Sequence, residues 1–263
     1  MTRLIALLRK ELASLFGAPT AYLTLTAVAL VTALIFFDHL RVYNQLLFAY
    51  SSTTLGGFES DTIPDYLNLW DTVFFPVMEQ VALMLLAAIP LVTMRVFAEE
   101  RARGTDELLL ATGLSPGLIA LGKFAVTFLF VVLMLAVSFV YPAVAIGSGG
   151  LGIAHLGAVF LGLALHAVGV ASLGLICSAF TSSQLVAAAS AWAAAFLLWD
   201  FAWIQPFVSE GVAGVLDALS LHPHYSAFAE GIVGLENVAY FAGLAIVGLA
   251  LARFSFDLRR VFS

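Results

Sequence analysis

Six long apolar stretches constrain the fold of this chain more than any other feature of its sequence. They run from about residue 21 to 37, 73 to 94, 118 to 146, 155 to 180, 185 to 204 and 238 to 254. A helix that crosses a bilayer needs about 20 apolar residues, and each stretch comes near that length once tilt is allowed. We therefore predict an all-α, polytopic membrane protein with six transmembrane helices, the last of which is the shortest.

The composition supports this class of protein. Hydrophobic residues make up 62% of the 263 residues and charged residues only 11%, with a mean hydropathy of +1.04. A soluble domain is nearer a quarter charged. The length fits one membrane domain, residues 1–263, and leaves no room for a separate soluble catalytic domain. The lone Cys177 excludes an intrachain disulfide and a cysteine-rich metal centre.

Lysine and arginine are distributed unequally between the two sides of the predicted bundle. If both termini share one side, the opposite side receives only Arg41. The terminal side receives ten basic residues, which are Arg3, Arg9, Lys10, Arg95, Arg101, Arg103, Lys123, Arg253, Arg259 and Arg260. The positive-inside rule then places both termini in the cytoplasm, as in a multi-pass protein of a bacterial inner membrane.

Three segments outside the spans have a predicted conformation. Residues 2–16 carry a leucine stripe with basic residues on other faces, which predicts an interfacial helix in contact with membrane lipid. Residues 38–72 are expected to form an outer loop. Residues 205–237 contain short apolar pieces that can dip into the outer leaflet, interrupted by a turn at His222-Pro223-His224.

The stretch from residue 95 to 124 has the highest concentration of charges of both signs. Glu99 and Arg103 are spaced to pair on a helix that continues the second span, and Gly104 ends that helix. Thr105 can cap a second short helix, Gly113 stops it, and Ser115-Pro116 begins the third span. We interpret this stretch as a docking element, with an ordinary charged loop as the alternative.

One near-match to a nucleotide motif occurs in this stretch. Residues 117–124, GLIALGKF, resemble a phosphate loop, but Phe124 stands where the motif needs a Ser or Thr to hold Mg²⁺. A turn into a membrane helix, and no buried strand, precedes it. We reject nucleotide binding here and interpret Lys123 as a residue that snorkels to the cytoplasmic surface.

Polar residues at membrane depth are candidate functional groups. Glu79 lies about two turns inside the second span, and an intramembrane acid is a functional hypothesis by default. Asp200 lies at the aromatic belt and is expected to reach water. His166 is expected to be a packed, hydrogen-bonding residue, because no facing span offers a second haem ligand. His222 and His224 are too few to indicate a metal site.

Small residues recur at positions suited to close helix packing. Ala187, Ala191 and Ala195 repeat every fourth position, and Gly162, His166, Val170 and Gly174 do the same on the preceding span. Such stripes allow helices to approach closely, either within the chain or between two copies.

Several of these residues carry a family resemblance. Phe97-Ala98-Glu99-Glu100-Arg101, Arg103-Gly104-Thr105, residues 107–110 (ELLL) and residues 121–124 (LGKF) resemble the signature of ABC-2-type permeases. Residues 9–12 followed by Pro19 and Tyr22, residues 178–184 and residues 220–234 extend it along the chain. The resemblance is strongest to gliding-motility-type permeases and to those of nitrous-oxide-reductase maturation, and Asp106 departs from the apolar residue common there.

The resemblance implies a non-catalytic permease subunit of an ATP-binding-cassette transporter. Separate ATPase subunits would bind ATP and Mg, and this chain would bind no cofactor or metal. A second permease copy or paralogue is the other expected partner, with an auxiliary protein bearing a large outer domain and no nucleic acid. The ATPase would dock on a coupling helix formed by Phe97, Glu99, Glu100, Arg101, Arg103, Gly104, Thr105, Glu107, Leu108 and Leu109.

Two other classes remain open. An ion-coupled secondary transporter or channel would use Glu79, and it would need a paired ionisable residue elsewhere, for which the spans offer only His166 and the peripheral Asp200. A purely structural membrane scaffold would tolerate loss of nucleotide hydrolysis by its partners.

Overall fold

A computed structural model describes residues 2–54, 68–106, 109, 113–149 and 153–262 of the chain, which are helices, turns and short links without a β-strand. The α-helices are α1 (Thr2–Phe16), α2 (Pro19–Thr54), α3 (Phe75–Thr93), α4 (Arg95–Arg103), α5 (Pro116–Gly149), α6 (Ile153–Ala179), α7 (Gln184–Trp199), α8 (Glu210–Leu219), α9 (Leu221–Ala229) and α10 (Leu235–Phe262). A π-helical turn, Trp70–Phe74, leads into α3, and a 3₁₀ turn, Ala202–Phe207, follows α7. The all-α prediction is confirmed for these residues.

Five helical segments of the described chain are long and apolar enough to cross a membrane. They are Pro19–Ser52, Trp70–Arg103, Pro116–Pro142, Ala154–Ala179 and Leu235–Leu258. The remaining predicted span, the fifth in chain order, is the shorter helix α7, whose 16 residues rise about 24 Å against a hydrocarbon core of about 30 Å. The prediction that the last span is the shortest is wrong, because α10 has 28 residues.

Local hydrogen bonding explains where α7 stops. The predicted span continues to residue 204, but Asp200 has extended backbone angles (φ −154°, ψ 126°) and its carboxylate accepts a hydrogen bond from Ala202 N at 2.7 Å. Such an Asx turn competes with a helix for the backbone donors. The apolar residues beyond Asp200 therefore turn away in the 3₁₀ segment.

Helix α2 is much longer than its predicted span. Residues 38–54, expected to belong to an outer loop, continue the helix, which is about 54 Å long by its 36 residues. The polar residues are accommodated along it, since Asp38 pairs with Arg41 at 2.9 Å and His39 Nδ1 lies 2.9 Å from Ile35 O. No Gly or Pro interrupts the helix before Gly56. The rest of that loop, residues 55–67, lies outside the described residues.

Helix α6 is the centre of the bundle and packs against α3, α4, α5, α7, α9 and α10. Its glycines allow these close approaches. A Cβ at Gly162 would lie 2.2 Å from Phe228 Cβ, and a Cβ at Gly174 would lie 2.0 Å from Thr93 Oγ1. The alanine stripe of α7 is likewise buried within the chain. Both small-residue stripes therefore serve intramolecular packing.

The bundle has two distinct ends. The end that we call the terminal end holds α1, α4, the start of α5 and the last turns of α10, which pack around a small apolar cluster that includes Leu7, Phe97 and Phe256. The opposite end, called the far end, holds α8 and α9. A larger apolar core runs between the two ends along α3, α5 and α6. Both chain termini therefore share one end with the charged stretch.

Candidate functional site

The charged stretch begins at a break between α3 and α4. The break at Met94 leaves the first N–H groups of α4 without partners in the helix. Ser178 of α6 compensates, because its Oγ accepts from Phe97 N and Ala98 N at 3.1 Å each and donates to Met94 O at 3.0 Å. Since Phe97, Ala98 and Ser178 are buried, this hydroxyl fixes α4 against the central helix.

The helix stops predicted in this stretch are present. Gly104 has a left-handed conformation (φ 67°) and its N–H bonds back to Arg101 O and Glu100 O, while Gly113 also has a positive φ of 76°. Ser115 Oγ accepts from Leu118 N at 3.3 Å, which caps α5. Thr105 donates its hydroxyl proton to Glu100 O at 3.4 Å, and the N–H groups of residues 107 and 108, which it is predicted to cap, lie outside the described residues.

Lys123 occupies the centre of a buried ionic cluster. Its side chain is 1% exposed, and Nζ donates to Glu11 Oε1 and Oε2 at 3.0 Å each and to Val96 O at 2.9 Å. Glu100 Oε2 lies 2.9 Å from the same Nζ as an ion pair without the alignment of a hydrogen bond. The interpretation of Lys123 as a snorkelling residue is therefore wrong, because carboxylates of the protein take the place of water.

Further ion pairs surround Lys123. Lys10 pairs with Glu11 and Glu100, while Glu99 accepts from Arg95 and Arg103 at 2.8 Å each. The predicted pair of Glu99 with Arg103 is confirmed. Burial acts to lower the pKa of Lys10, but its hydrogen bond to Glu100 and the charge of Glu11 outweigh burial and raise that pKa above its ordinary value. We call the group formed by Lys10, Glu11, Arg95, Glu99, Glu100 and Lys123 the charged joint.

The charged joint connects helices that are far apart in the sequence. It joins α1 to α4 and α5, and Arg95 Nη1 adds the start of α2 by donating to Thr20 Oγ1 at 2.7 Å. Arg101 Nη2 donates to Ser255 Oγ at 3.0 Å, which attaches α4 to α10. A cavity of about 450 Å³ lies beside the joint, with Val92 and Val126 on its apolar side. Polar contacts thus attach α4 to α1, α5, α10 and the start of α2.

The predicted docking residues divide into buried and exposed groups. Phe97 and Leu109 are buried in the terminal apolar cluster, and Glu99, Glu100 and Arg101 are engaged in the contacts described above. The exposed surface is the short run Ala102, Arg103, Gly104 and Thr105. Glu107 and Leu108 lie outside the described residues. Among the described residues from 97 to 109, this run is the part that another protein can reach.

A second polar cluster lies toward the far end of the bundle. His222 Nε2 lies 3.1 Å from Glu79 Oε2, and Tyr225 donates its hydroxyl proton to Met78 O at 3.0 Å. His166 is fully buried with Nε2 3.2 Å from Ala82 O, so the prediction of a packed, hydrogen-bonding histidine is confirmed. Asp200 stays partly exposed beside this cluster.

The segment that carries His222 is not the predicted turn. Helix α9 begins at Leu221, and Pro223 is tolerated because the first turn of a helix has no partner for that N–H. Within it His224 Nδ1 lies 2.8 Å from Asn237 Oδ1, away from Glu79. In the described residues no three His, Cys, Asp or Glu side chains are grouped so that they could hold a metal ion.

Three residues that make key contacts in these clusters were not identified as functional residues from the sequence. Glu11 and Ser178 entered only through the family resemblance of residues 9–12 and 178–184, and His222 was placed at a turn in an outer segment. Their partners on other helices are 80 to 143 residues away in the chain. The only signal was indirect, in that a charge inside an apolar stretch, such as Glu79 or Lys123, requires a partner.

The comparison with known families identifies the class of this fold. The family model described as ABC-2 family transporter protein matches residues 44–228, which is more than half of the chain. The chain therefore belongs to the ABC-2 family and is a multi-pass membrane protein, the permease of an ABC transporter. This family implies an ABC ATPase as a partner. No curated protein matches the chain.

Proposed function

We propose that this chain couples ATP hydrolysis on separate ATPase subunits to movement of its own spans, through the exposed run at residues 102–105. In this proposal both termini and α4 lie in the cytoplasm of a bacterium, and the membrane is its inner membrane. The ten-to-one distribution of basic residues supports that orientation. The single observation that carries the coupling role is the charged joint, which attaches α4 to α1 and α5.

The packing of α4 supports transmission of force from this run. Ser178 attaches α4 to the central helix α6, Lys123 attaches it to α5, and Arg101 attaches it to α10. Because packed helices shift as rigid units, displacement of α4 by a docked protein would be passed to the spans that hold it. The 450 Å³ cavity beside the joint provides room for such a displacement.

The partners follow from the family and the resemblance. ATP and Mg are bound by the ATPase subunits, and a second copy or paralogue of this permease completes the pathway. The resemblance to gliding-motility-type and nitrous-oxide-reductase-maturation permeases adds an auxiliary protein with a large outer domain. The coupled motion then either moves a solute or acts mechanically on that protein.

The docking role is tested at Ala102, which is exposed between Arg101 and Arg103. Ala102→Arg adds a bulky charge there without removing any contact within the chain. We expect loss of ATPase association and of stimulated hydrolysis in proteoliposomes, with normal insertion. Ala218→Arg makes the same change at an exposed alanine of the far end and should leave both properties unchanged.

Two further substitutions test the contacts that hold α4 in place. Glu100→Ala and Arg101→Ala should each cause a coupling defect, because each residue attaches α4 to its neighbours. If Ala102→Arg, Glu100→Ala and Arg101→Ala all retain normal ATPase association and stimulation, the docking assignment is wrong.

One observation favours a second candidate function. A secondary transporter that uses Glu79 needs a second ionisable group, and His222 supplies one at 3.1 Å. Transport by the purified permease in proteoliposomes that contain no ATPase subunit would support this alternative. Dependence of all activity on the ATPase would exclude it.

A further inference from the structure

The far end of the bundle carries an ionisable pair that the coupling role does not use. Glu79 belongs to α3, a span that reaches the terminal end, whereas His222 belongs to the short helix α9 outside the spans. Their side chains are 22% and 34% exposed, so that protons from the far side can reach the pair. The contact between Glu79 and His222 joins a side chain of α3 directly to a side chain at the beginning of α9.

Because of the surroundings of Glu79, the proton on His222 is needed to compensate the negative charge of Glu79. Glu79 Oε2 contacts His222, while Glu79 Oε1 is buried and meets no hydrogen-bond donor among the described residues. A buried carboxylate without a positive partner is costly. Loss of the proton from His222 would therefore remove the charge that compensates Glu79.

The other groups that face His222 cannot compensate the charge of Glu79 in place of a protonated His222. Asp200, at the end of α7, adds a second negative charge, and Trp199 packs its ring 5.0 Å from the imidazole. His166 of α6 uses Nε2 to contact Ala82 O. In α9 itself, Tyr225 donates its proton to Met78 O, and Phe241 of α10 packs its uncharged ring against His166.

We propose that Glu79 and His222 form a proton-binding site that fastens α9 to α3 when occupied and loosens the far end when the proton leaves. The geometry assigns the proton to the 3.1 Å contact between His222 Nε2 and Glu79 Oε2. Because Leu221, Tyr225 and Phe228 of α9 are fully buried, release affects the first turn of α9 and leaves the apolar packing in place.

The direction of the pH dependence follows from the contact. The hydrogen bond to Glu79 raises the pKa of His222 above its ordinary value of 6.5, against the opposing effect of burial. Because the pKa of His222 is raised in the folded protein, the stabilisation by its proton is fully present below pH 6.5. It is lost as the pH rises through the pKa of the folded state. The site is therefore occupied below pH 6.5 and empties as the pH rises through the raised pKa of His222.

Trp199 provides a signal for the test, because a protonated imidazole in ring contact quenches tryptophan fluorescence. The full-length permease in detergent is titrated between about pH 5 and 9, and the Trp199 component is obtained by subtracting the Trp199→Phe variant. We expect fluorescence to rise with pH with a midpoint above 6.5, and His222→Gln to abolish the transition. His224→Gln, a matched change two residues away that faces Asn237, should keep it.

The acid partner is tested by Glu79→Gln, with Asp200→Asn as its control. Glu79→Gln should shift the midpoint downward, and Asp200→Asn should shift it less. Amide hydrogen exchange in the first turn of α9 gives a second measurement, once its rate is corrected for the intrinsic dependence of exchange on pH. In the wild type the corrected rate should increase above the midpoint. In Glu79→Gln this increase should be absent. A wild-type midpoint at or below 6.5, or a midpoint unaffected by Glu79→Gln, would overturn the proposal.

Discussion

Replacing Lys123 by Met removes the central charge of the joint while keeping most of the side-chain volume. In the wild type, Lys123 Nζ compensates Glu11 and Glu100 in a position that is 1% exposed. Breaking a buried ion pair by removal of one partner costs about 3–5 kcal/mol, since the remaining charge stays desolvated. We expect Lys123→Met to lower the free energy of unfolding by about that amount.

Lys10→Met is the matched control for this prediction. Lys10 contacts the same two carboxylates, but its side chain is 50% exposed, and exposed pairs contribute about 0–1 kcal/mol. The two variants thus remove the same charge from the same partners and differ mainly in burial. The free energy is measured by reversible unfolding of the detergent-solubilised permease with increasing mole fraction of sodium dodecyl sulfate, followed by circular dichroism.

A second substitution tests the cause of the loss. If uncompensated negative charge is responsible, adding Glu11→Gln to Lys123→Met should restore part of the stability, although Glu11→Gln alone should be destabilising. Equal losses for Lys123→Met and Lys10→Met, or no recovery in the double variant, would refute the argument that a buried ionic joint holds α1, α4 and α5 together.

Two other predictions concern packing and hydrogen bonding around α6. Gly162→Ala places a Cβ 2.2 Å from Phe228 Cβ and should cost about 1–3 kcal/mol in the same assay, whereas Gly157→Ala, with open space around it, should cost nothing. Ser178→Ala leaves the buried N–H of Phe97, in the first turn of α4, without an acceptor and should cost about 1–3 kcal/mol, whereas Ser190→Ala, whose hydroxyl bonds only within α7, should be nearly neutral. If Gly162→Ala and Gly157→Ala lowered stability equally, or if Ser178→Ala and Ser190→Ala did, the packing described here would be contradicted.

The apolar spans could be predicted from the sequence because their length is set by the thickness of a bilayer. The limits of these helices were harder to predict. At Asp200 a side-chain hydrogen bond ends α7 before the apolar run is over, and at Asp38 an i,i+3 pair with Arg41 allows α2 to continue. Both outcomes depend on local polar contacts that average hydropathy does not represent.

The candidate sites could be predicted only in part. Gly104 and Gly113 mark helix ends by a backbone conformation that glycine favours, so the sequence indicates them directly. The partners of Lys123 and Glu79 could not be found in this way. Glu11 is 112 residues from Lys123, and His222 is 143 residues from Glu79, so these pairs depend on how the helices pack.

Photo-crosslinking from residue 102 is the most direct test of the proposed coupling role. A photoreactive amino acid is placed at Ala102 in cells, with the same substitution at the exposed Ala218 of the far end as a control. The account predicts a covalent adduct from residue 102 with a separate ATPase that contains a complete phosphate loop, and none with that ATPase from residue 218. Absence of the ATPase from adducts at residue 102, or its equal capture from both positions, would contradict it.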